Sequence, residues 1–366
     1  MGKIINKVCS VPNGKYFVFL FLFLLVLFSA RFMVTGYGVG GDGEGYYAYL
    51  PSVIIDKDLD FKNQYLSGPG LNSTNPFKDT EEGSAHLIRK TSNRTATGYL
   101  TNPFPIGSAI LWLPFFILSL SLIHFLNLFG LNITLNGYSA LSQYVTMVGS
   151  VFYVILGFIL TCKLIKKFCV DPGIIKSSIF LILIGTFAIQ YFAIEPSMSH
   201  ANDFFIITLF FYYFYINFIL TDNKAPYKKW IIFGVISGLM VLVRPQNALL
   251  IALPLIYSIA LLIKNRSSAK KELINYAIFF STFLISLLPL LISWKIIYGS
   301  FLTIPQGVGP LLYFSPQIPQ VLFSFRHSLF VSTPLLIFSI IGFTFLFKDT
   351  YTDNKKKEAY HNTIFL

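Results

Sequence analysis

Residues Gly36–Phe61 read GYGVGGDGEGYYAYLPSVIIDKDLDF, and they follow directly on the first strongly apolar segment, Tyr16–Val34. Two carboxylates, Asp42 and Glu44, stand in a glycine-rich turn that leads into an apolar stretch rich in tyrosine. A membrane chain gains little by holding Asp and Glu against the bilayer surface unless chemistry or ligand binding uses them there. The rest of the chain is therefore read outward from this turn, as a scaffold that presents it.

Of the 366 residues, 54% are hydrophobic and only 12% carry charge, which excludes an ordinary soluble domain. The apolar residues fall in long unbroken runs, unlike the short alternating segments of a membrane barrel, so the expected class is an all-α polytopic membrane protein. The net charge of +12 resides in short Lys/Arg clusters between those runs. That pattern sets topology and does not describe a nucleic-acid surface. Cys9, Cys162 and Cys169 form neither a disulfide framework nor a metal motif.

Lys3, Lys7 and Lys15 assign residues 1–15 to the cytoplasm and 16–34 to a first transmembrane helix, an uncleaved anchor of about 19 residues. Residues 35–139 are then an extracytoplasmic loop. Its polar part, Thr35 to Tyr99, holds six Lys/Arg, eight Asp/Glu and turn clusters such as SGPGLNSTNP. The apolar stretch Phe104–Phe129 decides the topology. If it crossed the membrane, the fifteen basic residues of four later clusters (Lys163 to Lys176, Lys224 to Lys229, Lys264 to Lys271, Lys348 to Lys357) would all face outward. Pro103, Pro105 and Pro114 are expected to break its first half, and His124 and Asn127 its second. It is assigned to juxtamembrane or re-entrant helices.

Residues 140–347 form the helix bundle, with spans at Ala140–Thr161, Ser177–Ile194, Phe204–Leu220, Leu273–Ile297 and Ser328–Phe347. Trp230–Ile263 would make a helix of about 50 Å, too long for one bilayer core, so a break is expected at Arg244-Pro245. Residues 348–366 are a cytoplasmic segment that ends in the opening of a further hydrophobic run, and a continuation of the chain is expected there.

Asp42 and Glu44 have the chemistry of a general base, and the surrounding glycines are expected to let a bulky ligand come close. The plainer alternative is a helix cap. Glu195 and His200, in EPSMSHAND with Asp203, could bind sugar hydroxyls or orient an acceptor, or be ordinary loop polarity. Arg244, next to Gln246, and Arg326-His327 could clamp a phosphate or be interfacial anchors. Tyr46, with Tyr47 and Tyr49, could line a groove or anchor at the interface. No metal-ligand spacing is convincing; a divalent cation is possible without support in the sequence.

The stretches GDGEGYYAYLPSVIIDKDLDF (41–61), EPSMSHANDFF (195–205), GLMVLVRPQNALL (238–250), YGSFLTIPQG (298–307) and VLFSFRHSLFVSTPL (321–335) resemble the GT-C class of integral-membrane glycosyltransferases. The similarity is to bacterial members related to protein O-mannosyltransferases and lipid A aminoarabinose transferases. It implies a GT-C-like fold, with a large first extracytoplasmic loop carrying juxtamembrane helices, in the bacterial inner membrane. The implied activity is transfer of a sugar from a polyprenyl-phosphate donor to a glycan, lipid or protein acceptor at the outer face. Asp42 matches the family's acid after the first helix and would be the base, with Glu44 beside it. Arg244 and Arg326 would bind phosphate by position only. The family often carries adjacent Asp-Glu, whereas Gly43 intervenes here, so either acid could be the base. Two other classes compete: a transporter or flippase for lipid-linked glycans, and a non-catalytic membrane protein of envelope assembly.

Overall fold

The structure is a computed structural model describing residues 14–67, 93–167, 171–221, 226–264, 269–305, 317–325 and 328–352. The described chain is an all-α polytopic membrane protein, and five of its helices are long and apolar enough to cross a membrane. They share the property that makes lipid a tolerable solvent: every interior N–H and C=O is satisfied within the helix. Among the described residues the only strand-like pairing is an isolated bridge between Arg94 and Leu100.

The helices are α1 Gly14–Thr35, α2 Gly43–Pro51, α3 Lys62–Ser67, α4 Gly107–Asn127, α5 Ala140–Ile165, α6 Pro172–Gly185 and α7 His200–Phe214. There follow α8 Tyr227–Val243, α9 Ala252–Lys264, α10 Ala269–Tyr298, and the final α11 Ile318–Phe323, α12 Leu329–Ser332 and α13 Leu335–Thr352. Short π-helical turns lie at Ser52–Asp56, Gln190–Ile194 and Tyr215–Ile219, and a 3₁₀ segment at Pro245–Ile251. The break expected at Arg244-Pro245 is present: Arg244 is extended, at φ −146° and ψ 113°, and ends α8.

Helices α1 and α5 lie antiparallel. Phe17 and Leu20 near the start of α1 share a buried cluster with Phe158 and Cys162 near the end of α5, while Phe28 stacks on Tyr144, ring centroids 5.2 Å apart, near its start. Gly38 and Val39 both donate to Gln143 Oε1, at 3.0 and 3.4 Å. The chain therefore leaves α1 and enters α5 at one end of the bundle.

Helix α4 conforms to that return. Tyr153 donates to the Leu111 carbonyl (2.9 Å), Trp112 Nε1 donates to Ser150 Oγ (2.8 Å), and Ser119 Oγ approaches Ser142 Oγ at 3.5 Å. The contacts run from Ser142 to Tyr153 on α5, alongside which α4 runs antiparallel. Pro114 does not break it: the helix is continuous over 21 residues. A proline removes one backbone bond, and the packing of Trp112 and Phe116, both fully buried, holds the flanking turns in place. Asn127, expected to interrupt the helix, ends it. Its side chain donates to the Ile133 carbonyl (2.8 Å) and accepts from the Ile133 amide (2.7 Å), stapling the turn back toward α5.

Helices α7 and α8 are antiparallel, with the Tyr213 hydroxyl donating to the Lys229 carbonyl at 3.3 Å. Helices α8 and α10 run parallel in close contact, because Gly234 and Gly238 let Thr282 and Ser286 approach: a Cβ on either glycine would come within 2.4 Å of those side chains. Small residues four apart are what helices use to pack closely where no hydrophobic drive exists between them. One bundle end thus collects the end of α1, the start of α7 and the ends of α8 and α10.

Candidate functional site

At that end the segment 36–51 is fastened from several directions. Positive φ at Gly36 (74°) and Gly41 (59°) lets the backbone leave α1, turn and enter α2. Ser197 Oγ bridges the backbone N–H and C=O of Gly40 at 3.3 Å each. Gly43 and Gly45 correct the expectation of a backbone left open for a ligand. A Cβ on Gly43 would meet Ser197 Oγ at 2.3 Å, and one on Gly45 would meet the Phe104 ring at 2.1 Å. Both glycines make room for protein, so the turn is sealed on that side.

Asp42 is exposed at the N-terminal cap position of α2, its side chain making no capping bond. It lines a cavity of about 560 Å³ together with Tyr46, Phe104, Arg244, Gln246 and Trp294, closed by prolines 103, 105, 245 and 305. Glu44 is half-buried and its charge is felt by Tyr65 and Tyr138; two positions from both Asp42 and Tyr46, it stands on a different face of α2 from them. The two acids that sequence reading left interchangeable are thus placed apart.

Tyr46 packs on Phe104 (ring centroids 4.8 Å apart) and accepts a hydrogen bond from Ser199 Oγ at 3.2 Å. Burial pushes its hydroxyl above the ordinary tyrosine value, so it stays protonated at neutral pH. Tyr47 and Tyr49 do not line the groove considered for them. Both are buried, donating to the carbonyls of Gly137 (2.6 Å) and Phe104 (3.0 Å).

Arg244, at the α8 terminus, points to α7. Its Nη1 lies 3.1 Å from His200 Nδ1 and 3.5 Å from Asp203 Oδ2. Asn247 Nδ2 donates to Asp203 Oδ1 at 2.6 Å and also reaches the Met240 carbonyl at 3.2 Å. His200 and Arg244 are thereby brought together, with Asp203 and Asn247 as partners. Glu195 departs from this group; it ends the π-helical turn and lies close enough to Arg31 for their charges to interact. Arg31 stacks over the Tyr37 ring at 4.5 Å and donates to the Tyr37 carbonyl. Arg326 and His327 lie outside the described residues.

Two ties set the height of the cavity wall formed by α10. Tyr298 donates to the Asn102 carbonyl at 2.8 Å and accepts from the Asn102 amide at 3.1 Å. Asn102 Nδ2 donates to the Gly45 carbonyl at 2.9 Å, so one residue joins α2, through its side chain, to α10, through its backbone. Asn102, Ser197, Asn247 and Trp294 were not anticipated. For Asn247 a signal existed, since a polar residue two positions after Arg-Pro sits on the first turn of the following segment. For the others no local pattern marks them, because each acts across more than fifty residues of chain.

Among the described residues no group of three His, Cys, Asp or Glu side chains is arranged to hold a metal. What the arrangement offers is a carboxylate, a guanidinium and a buried tyrosine lining one cavity, with aromatic and proline side chains in its wall. Comparison with protein-family models, with curated proteins and with solved structures finds no match to this chain.

Proposed function

We propose that this chain is a glycosyltransferase that moves a sugar from a polyprenyl-phosphate donor to an acceptor hydroxyl. The observation that carries the reading is the placement of Asp42 and Arg244 on one cavity at a single end of an apolar helix bundle. The return of the chain to that same end between α1 and α5 supports an outer location for the whole 35–139 segment, with α4 outside the bilayer core or only partly within it. The positive-inside bias supports the same orientation, with the site on the extracytoplasmic face of a bacterial inner membrane.

In this reading the Asp42 carboxylate accepts the proton of the acceptor hydroxyl as its oxygen attacks the anomeric carbon. The bond from that carbon to the phosphate oxygen breaks, and its electron pair leaves on the lipid phosphate. Arg244 meets the charge that develops there, so no general acid is needed for so good a leaving group. The Tyr46 hydroxyl and Gln246 amide supply hydrogen bonds for sugar oxygens. The ring faces of Trp294 and Phe104 supply the apolar surface that sugar C–H groups and prenyl units pack on. The acceptor is a glycan, a lipid or a protein.

The test incubates the full-length membrane protein with radiolabelled polyprenyl-phosphate sugars and an envelope extract, comparing wild type with Asp42→Asn. Label transferred by wild type and lost in the variant supports the reading. No transfer from any donor, with glycolipid crossing the membrane of reconstituted vesicles, would replace it with a transporter.

A further inference from the structure

We infer that His200, with Tyr191 stacked on it, is a positioning residue that holds Arg244 by a neutral acceptor and leaves the other edge of the guanidinium to an anion in the cavity. This rests on the reading of Arg244 as the phosphate-binding group of the proposed transferase.

Hydrogen-bond chemistry leads there first. A guanidinium has five N–H donors and no lone pair to offer, so across the 3.1 Å contact Arg244 Nη1 donates and His200 Nδ1 accepts. The imidazole in this contact carries its proton on Nε2 and is uncharged. Asp203 lies 3.5 Å from the same Nη1, and Asn247 holds that carboxylate from its other oxygen. Among the described residues both partners of Arg244 thus meet it at Nη1. The Nε and Nη2 edge, whose two parallel N–H groups match a pair of phosphate oxygens, is not the edge they use. The Arg244 side chain is 27% exposed and lines the cavity.

The identity of the acceptor follows from charge. A second carboxylate in the place of His200 would fix the guanidinium equally well, but Asp203 already balances its single positive charge, and a further carboxylate would make the group net negative and repel an anionic ligand. A neutral imidazole fixes direction and adds no further negative charge. For that, the ring itself has to be held, and Tyr191 does so: the two rings lie 4.0 Å apart between centroids and are tilted by 32°. Tyr191 stands in the π-helical turn Gln190–Ile194 that precedes α7. Such turns carry one extra residue and re-aim the side chains around them. Here the turn sets Tyr191 against the first residue of α7.

Two measurements on the full-length protein in detergent test the inference. In the first, undecaprenyl phosphate is titrated calorimetrically into wild type, His200→Phe and His200→Gln. Phenylalanine keeps a ring for Tyr191 to stack on and removes the acceptor; glutamine returns an acceptor oxygen. The expected affinity falls about tenfold in His200→Phe, as for one lost bond to a charged group. It recovers to within about threefold of wild type in His200→Gln. In the second, ¹⁵N-histidine NMR compares wild type with Arg244→Gln, the His200 signals being assigned by their loss in His200→Gln. The expected spectrum shows the Nε2–H tautomer in wild type and a shift of the Nδ1 resonance in Arg244→Gln.

An affinity unchanged in His200→Phe, or a Nδ1 resonance indifferent to Arg244→Gln, overturns the inference and leaves the transferase reading intact. A wild-type protein that binds no undecaprenyl phosphate removes both, even where the NMR signature is present.

Discussion

Ser197 closes on Gly43 so tightly that a methyl group on the glycine would overlap the serine: the added Cβ would stand 2.3 Å from Oγ and 2.5 Å from the Ser197 Cβ. The acidic turn and the segment before α7, 154 positions apart in the chain, are thus in van der Waals contact through a position that only glycine fits. Replacing Gly43 by alanine should cost about 1–3 kcal/mol, the range for overpacking a fitted interface. Because the clash involves the Ser197 Cβ as well as its hydroxyl, Ser197→Ala should not rescue it. Thermal unfolding of the purified variants reads this directly, and an unchanged midpoint in Gly43→Ala would show that the turn can move aside.

Asp42 and Glu44 provide the sharpest functional contrast. Asp42 lines the cavity, whereas the charge of Glu44 is felt by Tyr65 and Tyr138. Transfer should fall by about 10²–10⁴ in Asp42→Asn, the usual contribution of a positioned base, and stay within a few-fold of wild type in Glu44→Gln. The reverse pattern in a radiolabel transfer assay would exchange their roles.

Asn247 holds Asp203 and the Met240 carbonyl with one amide. Asn247→Leu leaves a carboxylate without that donor in a site where Asp203 is only 14% exposed, and should destabilise the fold by about 1–3 kcal/mol. Asn247→Asp should be worse than Asn247→Leu, because it sets two carboxylates face to face. Denaturation midpoints of the two variants decide the order.

The glycine pair at 234 and 238 sets the distance between α8 and α10. A valine at Gly238 would place its Cβ 2.4 Å from Ser286 Cβ and 3.1 Å from the Phe283 carbonyl, which is backbone and cannot swing away. The two helices must then separate. A cysteine cross-link between facing positions of α8 and α10, efficient in the parent, should be lost in Gly238→Val.

Topology has its own test. In a background without native cysteines, Asn136→Cys should react with an impermeant thiol reagent added outside intact cells, and Ser177→Cys should not. Labelling at 177 alone would turn the bundle over.

Much of this fold was legible in the chain because lipid imposes so few solutions on it. The apolar runs gave the long helices α1, α5 and α10, and Pro245 marked the break after Arg244, since it cannot donate to the α8 ladder. Pro114 misled, because a rule learned in water overstates the cost of proline in a helix whose neighbours pack around it. The cavity was legible in part. A charge beside the membrane is conspicuous, so Asp42, His200 and Arg244 were visible singly. That His200 and Asp203 would turn to Arg244 while Glu195 stayed with Arg31 depends on the rotation of α7 about its axis, which no local pattern records. The glycines were noticed for their freedom, yet Gly43 and Gly45 serve by their size. The motif Gly234-Val-Ile-Ser-Gly238 was there to be read as a packing face.

The strap between Asn102 and Tyr298 joins residues separated by 196 positions. During synthesis the segment that carries Asn102 is therefore finished long before the helix end that clasps it exists. Asn102 has to find other partners, such as water, until α10 has been made and its last turn is in place. A chain stopped before residue 298 would hold Asp42, Arg244 and Trp294 but not the Tyr298 tie that joins the α10 wall to the rest of the cavity.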